Sequence, residues 1–308
     1  MTKAKKDWNI VPDKERRRIA NEIFVPRGFT DEFLSNMKQL REGASEGAEA
    51  NCLVVIGKKG VGKSSFLKKY AADNPPVEII EDNVLIRTKP VIYVSFPPSP
   101  KLKGAAEEFA RAISGAHMTK GTRMSLTRNL KADLKTFRTE MVIADEFQNV
   151  REEGEQGKSE VANWLKDIVK ETGIPFVLAG LPETTTIIEA DDQLHDLTEE
   201  PTVITAYDWD DILSKKAWRA LLAEIDKGLP FNNLSELAEK ETARNLFLCT
   251  MGYLRPLRTI LRIAVARAVQ NNSQRLIWDD LAAGYHRIPK NPEIKGNPFD
   301  LNKLFFSS

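Results

Sequence analysis

The chain contains the octapeptide Gly57-Lys58-Lys59-Gly60-Val61-Gly62-Lys63-Ser64, which matches the pattern G-x-x-x-x-G-K-[ST] at every fixed position. A short apolar run over residues 52–57 leads into it, and a helical pattern over residues 64–72 follows. Glycines let such a loop turn its backbone N–H groups toward phosphate oxygens, and the start of the next helix adds further unpaired N–H groups. The octapeptide therefore predicts a phosphate-binding loop between a buried strand and a helix.

The expected ligand of this loop is ATP with Mg²⁺. Lys63 is expected to reach the β- and γ-phosphates and so to act in catalysis, and the hydroxyl group of Ser64 is expected to bind Mg²⁺. The predicted ATP-binding residues of this segment are Gly57, Lys58, Lys59, Gly60, Val61, Gly62, Lys63, Ser64 and Ser65.

A second apolar run, Met141-Val-Ile-Ala, ends in the acidic pair Asp145-Glu146. An aspartate at the end of such a strand holds Mg²⁺ in phosphate-loop enzymes, so Asp145 is predicted to belong to both the metal site and the ATP site. Glu146 is the predicted catalytic residue, because its carboxylate can position and polarise the attacking water. Gln148 and Asn149 follow at once, and they fit either a link from Glu146 to a DNA or neighbour contact or a plain loop.

Further apolar runs at 91–96 and 176–179 are nearly continuous, which is typical of strands buried on both faces of a parallel sheet. Helical patterns lie between and after the strands, at 30–41 with Thr30 as a possible N-cap, 64–72, 104–116, 125–137, 158–171, 214–227, 234–248, 254–270 and 278–286. The predicted fold class is therefore α/β, with a parallel-sheet core followed by a small all-α lid. We predict a basic N-terminal arm and helix (1–48), the ATPase core (49–211), the helical lid (212–288) and an extended C-terminal tail (289–308).

The net charge of +1 conceals a strong asymmetry along the 308 residues. Residues 1–20 carry seven Lys/Arg against three Asp/Glu, residues 101–138 carry nine against three, and residues 183–211 carry ten acids and no Lys/Arg. Such separation can serve a polyanion on one face and a basic neighbour on another, although ordinary solvated helices also fit. No apolar stretch is long enough to span a bilayer, and the first residues lack a signal core, so a cytoplasmic protein that does not bind membranes is expected.

Residues 51–285 resemble the TniB/TnsC transposition ATPases, which are AAA+ proteins. The resemblance depends on the order and combination of several segments, namely Val25-Pro26-Arg27, LVVIGKKGVGKSS, Lys89-PVIYVSFPPSP, MVIADEFQNV, Gly252-Tyr253-Leu254-Arg255-Pro256-Leu257 and the acidic loop 190–194. It implies a P-loop AAA+ core that binds ATP and oligomerises with itself on double-stranded DNA as a filament or ring. It also implies recruitment of a DDE transposase, often with a TniQ-like target selector, and disassembly of the oligomer on hydrolysis.

The resemblance also implies DNA-contacting and lid residues. Its DNA-binding positions correspond here to Lys101, Lys103, Lys120, Thr122 and Arg123. Phosphate contacts of this kind carry no sequence information, so sequence-tolerant and salt-dependent binding is expected. Arg128, Lys131, Lys135 and Arg138 extend a basic stripe that fits DNA and a solvated helix face equally well.

In the lid, Arg258 is the predicted γ-phosphate sensor, with a catalytic role, and Arg255 is a further ATP-binding residue. Surface arginines that stabilise the lid helix or touch DNA are the alternative for both positions.

Two departures from the family pattern concern hydrolysis. The family places an Arg-Phe pair after Gln193-Leu194, whereas this chain has His195-Asp196, and residues 183–211 contain no arginine that could act across a subunit interface. Hydrolysis is therefore expected to be slow unless another arginine serves. The fourth predicted strand also lacks a polar sensor residue at its end, where Glu183 or Thr184 is the candidate substitute.

Two other functions remain open. One is a helicase-loader-like ATPase, similar to IstB or DnaC, or a clamp-loader-like switch. The other is a nucleotide-gated scaffold that binds ATP but scarcely hydrolyses it. Residues 297–306 have the composition of a short docking peptide, and a segment that packs on its own lid fits equally well.

Overall fold

The structure is a computed structural model that describes residues 7–26, 28–47, 49–98, 101–115, 120–150 and 154–300. Arg27 and residues 301–306, both singled out above, lie outside the described residues. Packing divides the chain into two compact units, one of them Phe29–Thr205 and the other Met1–Gly28 together with Ala206–Ser308. The segment 1–48 is thus shared between the two units, and the predicted four-segment division stays a prediction.

The strands are β1 (Cys52–Ile56), β2 (Val77–Glu81), β3 (Val84–Thr88), β4 (Val91–Ser95), β5 (Met141–Asp145), β6 (Phe176–Gly180) and β7 (Thr202–Val203). The helices are α1 (Asp13–Glu22), α2 (Gly28–Ser45), α3 (Lys63–Asp73), α4 (Leu102–Ser114), α5 (Arg123–Thr136), α6 (Gly154–Thr172), α7 (Thr185–Ile188), α8 (Asp192–Asp196), α9 (Ile212–Gly228), α10 (Lys240–Thr250), α11 (Leu254–Gln270) and α12 (Trp278–Tyr285).

The unit Phe29–Thr205 is built on a five-stranded parallel sheet with the order β4-β5-β6-β1-β7. All residues of β1, β5 and β6 are buried, which is why their sequences are almost continuously apolar. The four predicted strands are confirmed as β1, β4, β5 and β6. Strand β6 lies between β1 and β5, so the segments that follow these three strands share one edge of the sheet.

The apolar faces of α4, α5 and α6 share one hydrophobic core with the sheet, to which they contribute side chains such as Phe109, Leu130 and Leu165. Helix α5 ends at Thr136, and Arg138 follows it with a left-handed backbone conformation (φ 49°). The predicted basic stripe of α5 therefore does not continue to Arg138, because the chain has already left the helix.

Two local predictions are wrong, and one element was not predicted. Helix α2 begins at Gly28, so Thr30 is a buried residue inside the helix and not its N-cap. Helix α10 begins at Lys240 and not at residue 234. The element that was not predicted is the antiparallel hairpin of β2 and β3, whose turn residues Asp82 and Asn83 both have positive φ.

The unit that contains Ala206–Ser308 is helical around its own apolar core, which includes Trp218, Leu246 and Ile260. Helix α1 packs on α11 within this unit, and Ala20, Ile23 and Val25 add to the same core. The side chain of Arg16 is buried there, where its Nε donates a hydrogen bond to the carbonyl oxygen of Pro230 at 3.1 Å. This part of the predicted basic arm is thus packed as helix α1.

Candidate nucleotide-binding and hydrolysis site

The predicted phosphate-binding loop joins β1 to α3. Gly60 and Gly62 have φ of 94° and 109°, values that side-chain-bearing residues rarely adopt, and α3 begins directly after Gly62. Gly57 is constrained by space, because a Cβ atom there would lie 2.2 Å from the carbonyl oxygen of Ile204. The glycines therefore let the loop fold tightly over the start of α3, whose first N–H groups suit an anion.

Lys63, the first residue of α3, points back into this loop. Its side chain is buried, and its Nζ donates hydrogen bonds to the carbonyl oxygens of Gly57 and, at 3.3 Å, Lys58. The ammonium group thus lies within the loop, where phosphate oxygens are expected to bind. Together with the helix start, this arrangement fits a polyphosphate, and Ser64 on the first turn of α3 would hold Mg²⁺ with Asp145.

Asp145 is the last residue of β5 and is 1% exposed. Its Oδ2 accepts a hydrogen bond from the hydroxyl group of Tyr93 at 2.6 Å, and its Oδ1 accepts one from the backbone N–H of Glu146 at 2.9 Å. Burial, followed by the hydrogen bond to Asp145, raises the pKa of Tyr93 above its usual range, so this hydroxyl remains a donor. Both carboxylate oxygens of Asp145 are therefore held in place.

Glu146 has a left-handed backbone conformation, with φ 57° and ψ 35°. A residue with a side chain adopts this conformation at a cost of about 1–2 kcal/mol, and such outliers cluster at functional sites. The side-chain amide of Gln148 donates from Nε2 to Oε2 of Glu146 at 2.7 Å, and its Oε1 accepts from the backbone N–H of Leu181 at 3.0 Å. Glu146 is thereby connected to the segment that follows β6.

The contact between Tyr93 and Asp145 was not predicted. The strand register could have indicated it, because Tyr93 lies two residues before Ser95, which pairs with Asp145 in the parallel register. Alternation along a strand then places Tyr93 and Asp145 on the same face of the sheet. At the end of β6, Glu183 is exposed whereas Thr184 is fully buried, and the role of either residue as a sensor stays a prediction.

The predicted DNA-binding residues lie near the starts of α4 and α5, two helices that pack on each other. Lys101 is the N-cap residue of α4, Thr122 caps α5 by accepting a hydrogen bond from Ser125 N at 3.2 Å, and Lys120 is exposed just before it. Lys103 and Arg123 form exposed ion pairs, with Glu107 at 3.6 Å and Glu160 at 3.3 Å.

The role of these residues in DNA binding therefore stays a prediction. Within the longer basic stripe, Lys131 pairs with Glu171 at 2.7 Å and Arg138 pairs with Glu81 at 2.6 Å.

The lid arginines belong to the helical unit and not to the unit of the phosphate loop. Arg255 and Arg258 are both exposed on α11, and Nη2 of Arg258 donates to the carbonyl oxygen of Asn21, near the end of α1, at 2.8 Å. Arg258 thus has a structural contact that the sequence did not suggest, and its role as a phosphate sensor stays a prediction.

Strand order, phosphate loop and acidic pair together define a P-loop protein of the AAA+ fold class. The family model described as "Bacterial TniB protein" matches residues 16–200. Because this match covers more than half of the sequence, the chain belongs to the TniB family. A search of curated proteins gives no match.

Solved structures with the same fold include ORC and Cdc6 proteins. The Aeropyrum pernix ORC2 protein, in ADPNP–ADP complexes, has a TM-score of 0.60 at 15% identity, over 88% of this chain and 71% of that one. The Aeropyrum pernix ORC1 protein in complex with DNA has a TM-score of 0.61 at 15% identity, over 88% and 68%. Cdc6p from Pyrobaculum aerophilum has a TM-score of 0.61 at 13% identity, over 87% and 69%. At these identities the similarity shows the fold alone.

Among the residues that the structure describes, no helix is long and apolar enough to cross a membrane. Over the same residues, no group of His, Cys, Asp and Glu side chains forms a separate metal site. Cys52 and Cys249 are buried free thiols, and burial raises the pKa of each to about 12.

Proposed function

We propose that this protein is a DNA-associated ATPase that binds ATP with Mg²⁺ and oligomerises with itself on double-stranded DNA. Its ATP cycle regulates transposition by marking target DNA and recruiting a DDE transposase, and a TniQ-like target selector is proposed as a further partner. One observation carries the proposal. Lys63, buried inside the phosphate loop, lies at the same edge of the sheet as the acidic pair Asp145-Glu146. Membership of the TniB family supports the transposition role.

The residues of the nucleotide site have different roles in the proposed hydrolysis. Lys63 and the N–H groups at the start of α3 stabilise negative charge on the transferred phosphoryl group. Glu146 orients the attacking water and polarises its O–H bond, while Asp145, fixed by Tyr93, holds the metal together with Ser64. When bound, Mg²⁺ neutralises phosphate charge and orients the phosphates for in-line attack.

DNA association is proposed from the exposed cations near the starts of α4 and α5 and from family membership. A protein of the same fold, the ORC1 protein, was solved in complex with DNA, so the fold is compatible with DNA association. Binding through phosphate contacts is expected to tolerate any sequence and to weaken steeply with salt.

A specific observation favours a second candidate, the nucleotide-gated scaffold. Residues 183–211 contain no arginine, so this segment offers no side chain that could act as an arginine finger on the ATP of a neighbouring subunit. Arginine fingers contribute roughly 10³- to 10⁵-fold to the rate in related enzymes. A steady-state turnover assay with and without DNA separates the two candidates, because the scaffold binds ATP with little turnover in either condition.

The proposed function is tested by negative-stain imaging of the protein with double-stranded DNA and ATP, ADP or a slowly hydrolysed ATP analogue. We expect filaments or rings on DNA with ATP and the analogue, and none with ADP or with Lys63→Ala. Lys69→Ala is the matched control, since Lys69 is an exposed lysine of α3 that pairs with Asp73. A wild-type protein that stays off DNA in every nucleotide state would contradict the proposal.

A further inference from the structure

Gln148 joins two elements that come from distant parts of the sequence. It lies in the 3-10 turn Phe147–Asn149 and is 5% exposed. Its Oε1 accepts a hydrogen bond from the backbone N–H of Leu181, a group that can only donate, and this contact fixes the orientation of the side-chain amide. The NH₂ group must then face Glu146, where Nε2 donates to Oε2 at 2.7 Å.

The end of β6 is shaped around this amide. A Cβ atom at Gly180 would lie 2.3 Å from Oε1 of Gln148 and 2.2 Å from Oγ1 of Thr184, so a larger residue would displace one or both side chains. Thr184 is fully buried, and its hydroxyl group has no hydrogen-bond partner among the described residues. Buried hydroxyls without a partner are uncommon. This one borders the same narrow gap as the Gln148 amide.

We propose that Gln148 is a positioning residue that holds the Glu146 carboxylate for hydrolysis and links it to the end of β6, where Gly180 stands in place of a polar side chain. The inference rests on the proposed ATPase activity. Glu146 already has an unusual backbone conformation, so a hydrogen bond to its carboxylate restricts the remaining freedom of its side chain.

The expected kinetic effect follows from this role. Misplacing a catalytic group by about 1 Å can lower a rate by roughly 100-fold. Loss of the Gln148 bond is therefore expected to lower kcat by roughly 10- to 100-fold. The affinity for ATP should change little, since it depends on the phosphate loop.

Two substitutions separate positioning from a purely structural role. Gln148→Leu removes both hydrogen bonds at similar volume. Gln148→Glu keeps an acceptor for the N–H of Leu181 but presents no donor to Glu146. If Gln148 only supports the turn, Gln148→Glu retains the wild-type kcat; if it positions Glu146, both variants lose activity with the KM for ATP nearly unchanged.

Asn149→Ala is the matched control, because the side chain of Asn149 supports the same turn through Phe96 O at 3.0 Å. We expect it to keep the wild-type kcat. Gly180→Ala tests the link independently, since Gly180 is not among the residues with positive φ and alanine adds only the Cβ that displaces Gln148. It should lower kcat as Gln148→Leu does.

The experiment measures steady-state ATP turnover and equilibrium ATP binding for these variants beside the wild type. Retained ATP binding shows that a variant is folded. Wild-type kcat in Gln148→Glu, with normal wild-type turnover, overturns the inference and leaves the proposed function intact. A wild type that does not hydrolyse ATP, with or without DNA, overturns the ATPase function itself and this inference with it.

Discussion

The hydroxyl group of Tyr93 on β4 donates a hydrogen bond to Oδ2 of Asp145 on the neighbouring strand β5, at 2.6 Å. Tyr93 itself is not a metal ligand in the proposed site. It fixes the orientation of the proposed ligand Asp145, and groups that orient metal ligands in this way strongly affect metal affinity.

Tyr93→Phe is expected to raise the Mg²⁺ concentration needed for half-maximal ATP turnover by about 10-fold, because Asp145 loses one of its two positioning contacts. Turnover at saturating Mg²⁺ should stay close to that of the wild type. The measurement is a Mg²⁺ titration at fixed ATP. Tyr70→Phe is the control, since Tyr70 accepts a hydrogen bond from Arg41 on the same unit. Equal Mg²⁺ dependence in all three proteins would contradict the prediction.

Glu146→Gln is expected to lower kcat by at least roughly 100-fold, since the amide cannot take up the proton of the attacking water. ATP affinity should be retained, because the phosphate loop is unchanged. Protein assembled on DNA with ATP should therefore persist for longer, as judged by imaging at fixed times after ATP addition. Turnover at the wild-type rate would show that another residue activates the water.

Lys120→Ala is expected to weaken binding to all double-stranded DNA sequences equally and to reduce the slope of log K against log salt by about 1. Arg123→Ala should have a smaller effect, because Arg123 already pairs with Glu160 at 3.3 Å. Fluorescence anisotropy at several salt concentrations measures the DNA affinity and the salt slope of each variant. Lys227→Ala serves as control, since Lys227 is an exposed lysine paired with Glu224 in the helical unit. An unchanged slope in Lys120→Ala would remove Lys120 from the DNA site.

Arg16→Ala is expected to lower the free energy of unfolding of the helical unit by about 2 kcal/mol, because the carbonyl oxygen of Pro230 loses its buried donor. Arg17→Ala, at an exposed neighbouring position, should have almost no effect. Denaturant unfolding followed by tryptophan fluorescence suits this test. Four of the five tryptophans, Trp8, Trp209, Trp218 and Trp278, belong to the helical unit. Equal stability of the two variants would contradict the packing of α1 described here.

Arg258→Ala is expected to lower both the stability of the helical unit, by about 1 kcal/mol, and the rate of ATP turnover. The stability loss follows from its hydrogen bond to Asn21 O. Arg255→Ala should lower ATP affinity with stability unchanged. Unfolding and turnover measurements on both variants separate the two effects. An Arg258→Ala protein that is destabilised but fully active would leave Arg258 a purely structural residue.

The sheet and the phosphate loop could be predicted because their signals are local. A strand buried on both faces has to be apolar at nearly every position, and the loop has to carry glycines where φ is positive. The hairpin of β2 and β3 lacks such a signal. Its residues Ile80, Val84 and Leu85 are exposed, so no buried face imposes a period on the sequence.

The finer geometry of the site depends on strand order, which local sequence does not reveal. Gln148 reaches Leu181 only because β6 lies beside β5, and that placement depends on packing across the whole sheet. The same holds for Tyr93 and Asp145, which are 52 residues apart in the sequence. The acidic pair itself is recognisable from sequence, whereas the residues that orient it are not.

The division of the chain into units has a consequence for synthesis on the ribosome. Phe29–Thr205 is continuous in sequence, so it can fold as soon as it emerges. Helix α1 precedes this unit in the sequence, but its packing partner α11 ends only at Gln270. Helix α1 therefore lacks this packing partner from its own synthesis until the chain has been translated to Gln270. We expect this interval to be the one in which the nascent chain depends most on chaperones.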